Sequence, residues 1–173
     1  NKIKEFCYKV DVVTFEFENI PFETLNFIKS YKKVFPDPKI NRIVQHRLNE
    51  KDFINKCDLR TTKYANIKNI DDIDSYLDYL PGILKTCTLG YDGKGQFKLN
   101  SKRELNNLSI DFNKNFILEK LVNLKKEISV IITRFGHQNY LVYEPIENTH
   151  EDQILRLSQI PAKVEDKIIV KSK

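Results

Sequence analysis

The chain has 173 residues, 40% of them hydrophobic and 31% charged, with a formal net charge of +5 and a pI near 9.0. That length suits one large domain or two small ones with a real buried core. No stretch approaches the ~20 consecutive apolar residues of a bilayer span, and the opening run Asn1 to Phe6 lacks the apolar stretch and cleavage site of an export signal.

Lysines occur in runs no longer than two, so the basic balance fits an anionic small substrate as well as nucleic acid. Cys7, Cys57 and Cys87 are odd in number and lack zinc-ligand spacing. They read as reduced thiols of a cytosolic protein, behaving as small hydrophobes. The chain has no Met, and Lys167 to Lys173 reads as the start of a helix; both features suit an internal segment of a longer protein.

Asp11 to Phe17 is a short apolar, β-branched run and predicts a buried strand, with Glu16 and Glu18 on one face by its period of two. Asn19-Ile20-Pro21 predicts a helix start, with helical apolar spacing from Thr24 to Tyr31. Lys33-Val34-Phe35 predicts a second strand, closed by Pro36-Asp37-Pro38. This βαβ order implies a parallel pair. Lys39 to Lys56 is helical in pattern, with Ile43, Val44, Leu48, Phe53 and Ile54 apolar. Further strands are predicted at Lys63–Ala65, Gly82–Lys85, Phe116–Val122, Glu127–Arg134 and Tyr140–Tyr143, with a short helix over Asp71–Leu77. Repeats and low-complexity tracts are absent.

The most informative stretch runs from Leu84 to Gln96. Gly90, Gly93 and Gly95 lie within six residues, near Lys85 and Lys94. Glycines let backbone N–H groups approach phosphate oxygens, and lysine adds a point charge. An ordinary hairpin turned at Asp92-Gly93 fits the same spacing. The Walker pattern is not matched.

Lys85-Thr86 followed by Gly90-Tyr91-Asp92-Gly93-Lys94-Gly95-Gln96 resembles the signature of the 5-(carboxyamino)imidazole ribonucleotide synthase family, an ATP-grasp group. The likeness continues in order through the chain. Asp11 to Pro21 resembles the end of that family's N-terminal domain, and Gln45-His46-Arg47-Leu48 with Glu50-Lys51 the start of its ATP-grasp region. Glu127 to Ile131, Glu147-Asn148-Thr149-His150, Ile154 to Ser158 and Pro161-Ala162 follow.

The resemblance implies an α+β ATP-grasp fold over residues 41–173, preceded over 1–40 by the trailing βαβ piece of a Rossmann-like pre-ATP-grasp domain. It implies Arg47 and Lys85 near the ATP phosphates, and Gly90 to Gln96 as a lid over the triphosphate. The run Glu119-Lys120-Leu121-Val122 becomes a hinge whose backbone reads adenine. Glu127 is expected to hold the ribose hydroxyls, and His150 to lie in the nucleotide site. Glu16, Tyr91, Asp92 and Lys94 are expected to face aminoimidazole ribonucleotide, with Lys85, Asp92 and Lys94 as the catalytic candidates. Plain readings stand beside these: Lys85 as an edge charge, Glu127 as an exposed strand-end carboxylate, and His46 and His137 as surface or turn residues.

The implied activity is ATP-dependent carboxylation of aminoimidazole ribonucleotide with bicarbonate, through carboxyphosphate, in purine biosynthesis. The expected partners are these small molecules, with no nucleic acid and no membrane, in a cytoplasmic homodimer. ATP and Mg2+ are required, the metal ligands falling beyond Pro161-Ala162, so the 173-residue polypeptide by itself is expected to be inactive. The alternatives are another ATP-grasp enzyme, of the formate-dependent glycinamide ribonucleotide transformylase or biotin carboxylase type, or a non-catalytic nucleotide-binding module.

Overall fold

The computed structural model describes residues 2–90, 94–108 and 110–173. It divides into two compact units, Asn1–Leu121 and Val122–Lys173.

The first unit begins with helix α1 (Lys2–Tyr8), strand β1 (Val12–Thr14), helix α2 (Phe22–Lys29) and strand β2 (Lys33–Phe35). β1 and β2 pair in parallel, Val13 opposite Val34, as the βαβ order predicts. Cys7, Val13, Ile28 and Val34 form a small core between the helices and this pair. The strand is shorter than expected: the chain leaves extended pairing after Thr14, and Glu16 and Glu18 lie exposed beyond it. The inference that the two carboxylates share one strand face is therefore corrected.

The single helix expected from Lys39 to Lys56 is two helices, α3 (Pro38–Val44) and α4 (Arg47–Lys56). α3 starts at a proline behind Asp37, whose side chain caps the Lys39 amide at 3.0 Å. The break has a local cause. His46 adopts an extended conformation, and the Arg47 amide donates to the Cys87 carbonyl at 2.9 Å rather than into a continuing helix.

A four-stranded antiparallel sheet follows, ordered β3 (Tyr64–Ile67), β6 (Phe116–Lys120), β4 (Gly82–Thr86) and β5 (Gln96–Leu99). Its inner face carries Ala65, Ile67, Leu84, Leu99, Phe116 and Leu118, packed on Ile73 and Leu105 from two 3-10 helices, Ile70–Tyr79 and Lys102–Asn107. The first of these occupies the predicted Asp71–Leu77 helix; Asn69 and Asp72 close a reciprocal capping box at its start. β6 ends at Lys120, where the amide of Leu121 turns to the Pro81 carbonyl at 2.9 Å, so the strand expected to Val122 is shorter.

In the second unit, the strand expected over Glu127–Arg134 is divided. β7 (Glu127–Ser129) pairs with β10 (Ile146–Glu151), and β8 (Ile132–Arg134) pairs with β9 (Tyr140–Val142). The division falls at Val130-Ile131, where the Ile131 carbonyl accepts from the Tyr143 amide at 3.0 Å. β10 also pairs with β11 (Ile154–Gln159), with a register shift between Thr149 and His150. The unit ends in helix α5 (Asp166–Ser172), where the sequence predicts a helix start.

Candidate functional site

In the four-stranded sheet, Glu119 lies opposite Tyr64 on one side and Ile83 on the other, and Lys85 lies opposite Ile117. Because side chains alternate, Tyr64, Glu119 and Lys85 share the face turned away from the main core. Lys85 Nζ donates to Glu119 Oε2 at 2.8 Å, and Lys51 Nζ, arriving from α4, lies 3.3 Å from Oε1. The Glu119 side chain is only 10% exposed. Burial pushes its carboxyl up, but the Lys85 hydrogen bond and the charges of Lys85 and Lys51 outweigh this and hold it below the ordinary carboxylate value. Two ammonium groups on one carboxylate leave a largely buried cluster with a surplus positive charge.

α4 reaches the same face through further contacts. Lys51 Nζ sits 5.7 Å from the centre of the Tyr64 ring. The Tyr64 hydroxyl donates to Asp52 at 2.6 Å and accepts from Asn55 at 3.1 Å.

Beside this cluster the β4–β5 hairpin opens into the glycine loop. Arg47 Nε donates to the Thr86 carbonyl at 3.2 Å, reinforcing the amide bond to Cys87. Thr86 N–H donates in turn to the Gly95 carbonyl at 2.9 Å, closing the loop's base. Gly95 has φ +72°, and a Cβ there would lie 2.8 Å from Thr86 Oγ1; one at Gly90 would lie 3.1 Å from Arg47 Nη2. Position 95 thus needs glycine for its left-handed backbone, while a side chain at Gly90 would crowd the Arg47 guanidinium. The glycine loop connects the two strands of the β4–β5 hairpin, and its root carries Arg47. Tyr91, Asp92 and Gly93, including the predicted turn, lie outside the described residues. Lys94 is exposed. A cleft of about 200 Å³ adjoins the root, lined by Glu18, Asn19, Gln45, Arg47, Glu50 and Gly90 among others.

Cys87 is buried, which pushes its thiol up to about 11 against a smaller opposing pull from Arg47. A thiol so protonated is no nucleophile at neutral pH, in keeping with its reading as a small hydrophobe.

In the second unit, Glu127 stands at the start of β7 and His150 on β10, with His150 Nδ1 3.3 Å from Glu127 Oε2. Both are partly exposed. Nearby, Lys126 Nζ donates to both Glu147 oxygens at 2.9 and 3.0 Å, and the Lys163 amide adds a bond at 3.0 Å. These hydrogen bonds, that of Lys126 foremost, hold the Glu147 carboxyl low.

The structure therefore brings Lys85 to Glu119, Arg47 to the loop root, and Glu127 to His150. Glu16 is exposed beyond β1, outside these clusters. In the expected hinge, the Lys120 amide donates to the Lys63 carbonyl and its own carbonyl accepts from the Thr62 hydroxyl. With Leu121 bound to Pro81, Val122 follows as an exposed residue opening the second unit. The buried role of the Glu119 side chain and its second partner, Lys51, are not among the sequence expectations. A signal existed: Lys51 lies one helical turn after Arg47 and so on the same face of α4. His46 is also more than a turn residue, for its Nδ1 is buried without a partner.

An ATP-grasp domain model matches residues 52–173, and a ribonucleotide synthetase preATP-grasp domain model matches residues 1–45. The chain belongs to the ATP-grasp family. Within it, the chain is 35% identical over 170 residues to an N5-carboxyaminoimidazole ribonucleotide synthase of Staphylococcus aureus, covering 96% of the chain and 45% of that protein. It is 37% identical over 170 residues to a bifunctional purine synthesis protein of Dictyostelium discoideum, covering 94% of the chain and 17% of that protein. A crystal structure of the S. aureus N5-carboxyaminoimidazole synthetase complexed with ADP superposes with TM-score 0.87 at 30% identity, over 98% of the chain and 46% of that structure. The ordered motif resemblance and the ATP-grasp fold expectation are thus matched by relatives bearing that name. The chain spans less than half the length of these relatives.

Among the described residues, no group of three or more His, Cys, Asp or Glu side chains is arranged to hold a metal ion. The described residues do not supply a magnesium site. Among them, too, no helix is long and apolar enough to cross a membrane.

Proposed function

We propose that this chain supplies the nucleotide-binding half of an ATP-dependent carboxylating ligase acting on aminoimidazole ribonucleotide. In this reaction the γ-phosphoryl of ATP passes to bicarbonate with release of ADP, and the resulting carboxyphosphate delivers its carboxyl group to the exocyclic amine of the ribonucleotide, which loses a proton as inorganic phosphate departs. The observation that carries the reading is the Lys51–Glu119–Lys85 cluster beside a glycine loop rooted on Arg47. Phosphoryl transfer asks a protein for positioning and charge stabilisation more than covalent chemistry. A surplus cationic cluster, a second cation and a backbone free to approach phosphate oxygens meet that demand. The loop, from Gly90 to Gln96, closes over the triphosphate and keeps water from carboxyphosphate.

In this reading the Glu119–Val122 backbone reads the adenine edge, and Glu127 takes the ribose hydroxyls with His150 beside it. Glu16, Tyr91, Asp92 and Lys94 serve the ribonucleotide, and Lys85, Asp92 and Lys94 the chemistry. The boundary near residue 40 separates the tail of the pre-ATP-grasp domain from the ATP-grasp domain. The whole protein is a cytoplasmic homodimer. The relatives' names support this reading over a transformylase, a biotin carboxylase or a non-catalytic module.

The test is calorimetric titration of the chain with ADP and ATP, then ATP turnover by the protein that carries it, with bicarbonate and aminoimidazole ribonucleotide added singly and together. Turnover that needs both supports the assignment. Turnover indifferent to aminoimidazole ribonucleotide overturns it.

A further inference from the structure

Lys51 counts above only as a member of the cationic cluster, yet it is the second cation on the buried Glu119 carboxylate. We propose that Lys51 is a positioning residue of the nucleotide site, acting through Glu119 to hold Lys85 and to leave its ammonium charge available to phosphate. The inference rests on the proposed function, since it assumes that Lys85 meets the triphosphate.

With Lys85 alone, the Glu119 carboxylate would neutralise the ammonium it aims, and a neutral pair attracts a polyanion weakly. Lys51 takes the other oxygen of the same carboxylate, Oε1, while Lys85 holds Oε2. The carboxylate is thereby shared, and the cluster keeps one positive charge in a setting where its side chains are only 10–17% exposed. At that burial the surplus is weakly screened. Fixing both oxygens also fixes the rotation of the carboxylate, and with it the direction of the Lys85 Nζ bond.

Lys51 is itself held rather than free to swing. Its ammonium stands 5.7 Å from the Tyr64 ring centre, and Tyr64 is locked by Asp52 at 2.6 Å and Asn55 at 3.1 Å. Asp52 and Asn55 come from the same helix as Lys51, and Tyr64 from the strand position directly opposite Glu119. Helix and sheet thus hold the ammonium from two sides. A lysine that merely offset a buried charge would not require such a platform.

The experiment is titration of ATP and adenosine into wild-type protein, Lys51→Met, Glu119→Gln and the double variant, with circular dichroism to check folding. Methionine keeps the apolar stem beside Tyr64 and removes only the charge. The expected result is that Lys51→Met weakens ATP by about tenfold, the scale of one charge-assisted hydrogen bond, and leaves adenosine unchanged. Lys51→Arg is expected to restore most of the ATP affinity. Lys51→Met is expected to cost much less ATP affinity in the Glu119→Gln background than in wild type, because Lys51 acts chiefly through that carboxylate.

A folded Lys51→Met protein whose ATP affinity changes less than about twofold overturns the proposal, as does a double variant showing the full sum of the two losses. Should Lys51→Met fail to fold, the double variant, which leaves no unpaired carboxylate, decides by the same comparison with Glu119→Gln. Wild-type protein that binds no ATP would instead overturn the proposed function itself.

Discussion

Lys85 and Glu119 sit diagonally on adjacent strands, two residues apart in register, and their side chains close that diagonal to 2.8 Å. Diagonal pairs in a sheet are within reach of long side chains, but burial makes this one consequential. A buried carboxylate needs its partners, and its partners are directed by it.

Acid should reveal this pair. The folded Glu119 carboxyl titrates below its ordinary value of 4.5 because the lysines outweigh burial. Its contribution to stability is therefore present above that value and lost as pH falls through the folded one. Asp37, Asp72 and Glu147 are lowered too, so a bare acid melt cannot separate them. The gap in melting temperature between wild type and Glu119→Gln can. It is expected to be widest near neutrality and to shrink below pH 4.5; a gap independent of pH would remove the pair from the account.

Gly95→Ala is expected to destabilise the loop base by about 1–2 kcal/mol, the cost of left-handed backbone for an alanine. Contact with Thr86 at 2.8 Å adds to it. Thermal denaturation measures the stability, and a titration with ATP should show weaker binding beside it. An alanine variant as stable as wild type would mean that the loop base readily adopts another conformation.

If Glu127 takes the ribose hydroxyls, its loss should act on sugar rather than on phosphate. Glu127→Ala is expected to weaken ATP by about tenfold and 2′-deoxy-ATP much less, a hydrogen bond to a charged group being worth about 1.5–3 kcal/mol. Equal losses for both nucleotides would return Glu127 to an exposed partner of His150.

Thiol chemistry should follow burial. Cys57 is exposed, whereas Cys7 and Cys87 are buried and the Cys87 thiol is raised to about 11. Iodoacetamide at pH 8 is expected to label Cys57 first, with Cys87 modified only on unfolding. Peptide mapping by mass spectrometry reads this out, and rapid labelling of Cys87 in folded protein would contradict the packing around it.

What could be read ahead of the structure was local. Val12–Thr14 and Lys33–Phe35 announce their strands by β-branched and apolar content, and Pro21 opens its helix. What could not be read depends on partners distant along the chain. The break before α4 exists because the Arg47 amide finds the Cys87 carbonyl, a bond no periodicity encodes. Strand β10, Ile-Glu-Asn-Thr-His-Glu, is too polar to declare itself by alternation, and owes its form to pairing on both sides. The site was legible in its individual charges, Lys85 and Arg47 among them, through an ordered likeness to a family. That Glu119 would turn inward and recruit Lys51 was not, because one oxygen's partner comes from the sheet and the other's from a helix.

The short break between α3 and α4 has a further consequence. On one side of it, the Gln45 side-chain amide donates to the carbonyls of Glu18 and Ile20; on the other, Arg47 is bonded to the carbonyls of Thr86 and Cys87. Three residues thus rivet the turn after β1 to the base of the glycine loop. Anyone redesigning the loop through this segment will also disturb the turn, so the two segments cannot be altered there one at a time.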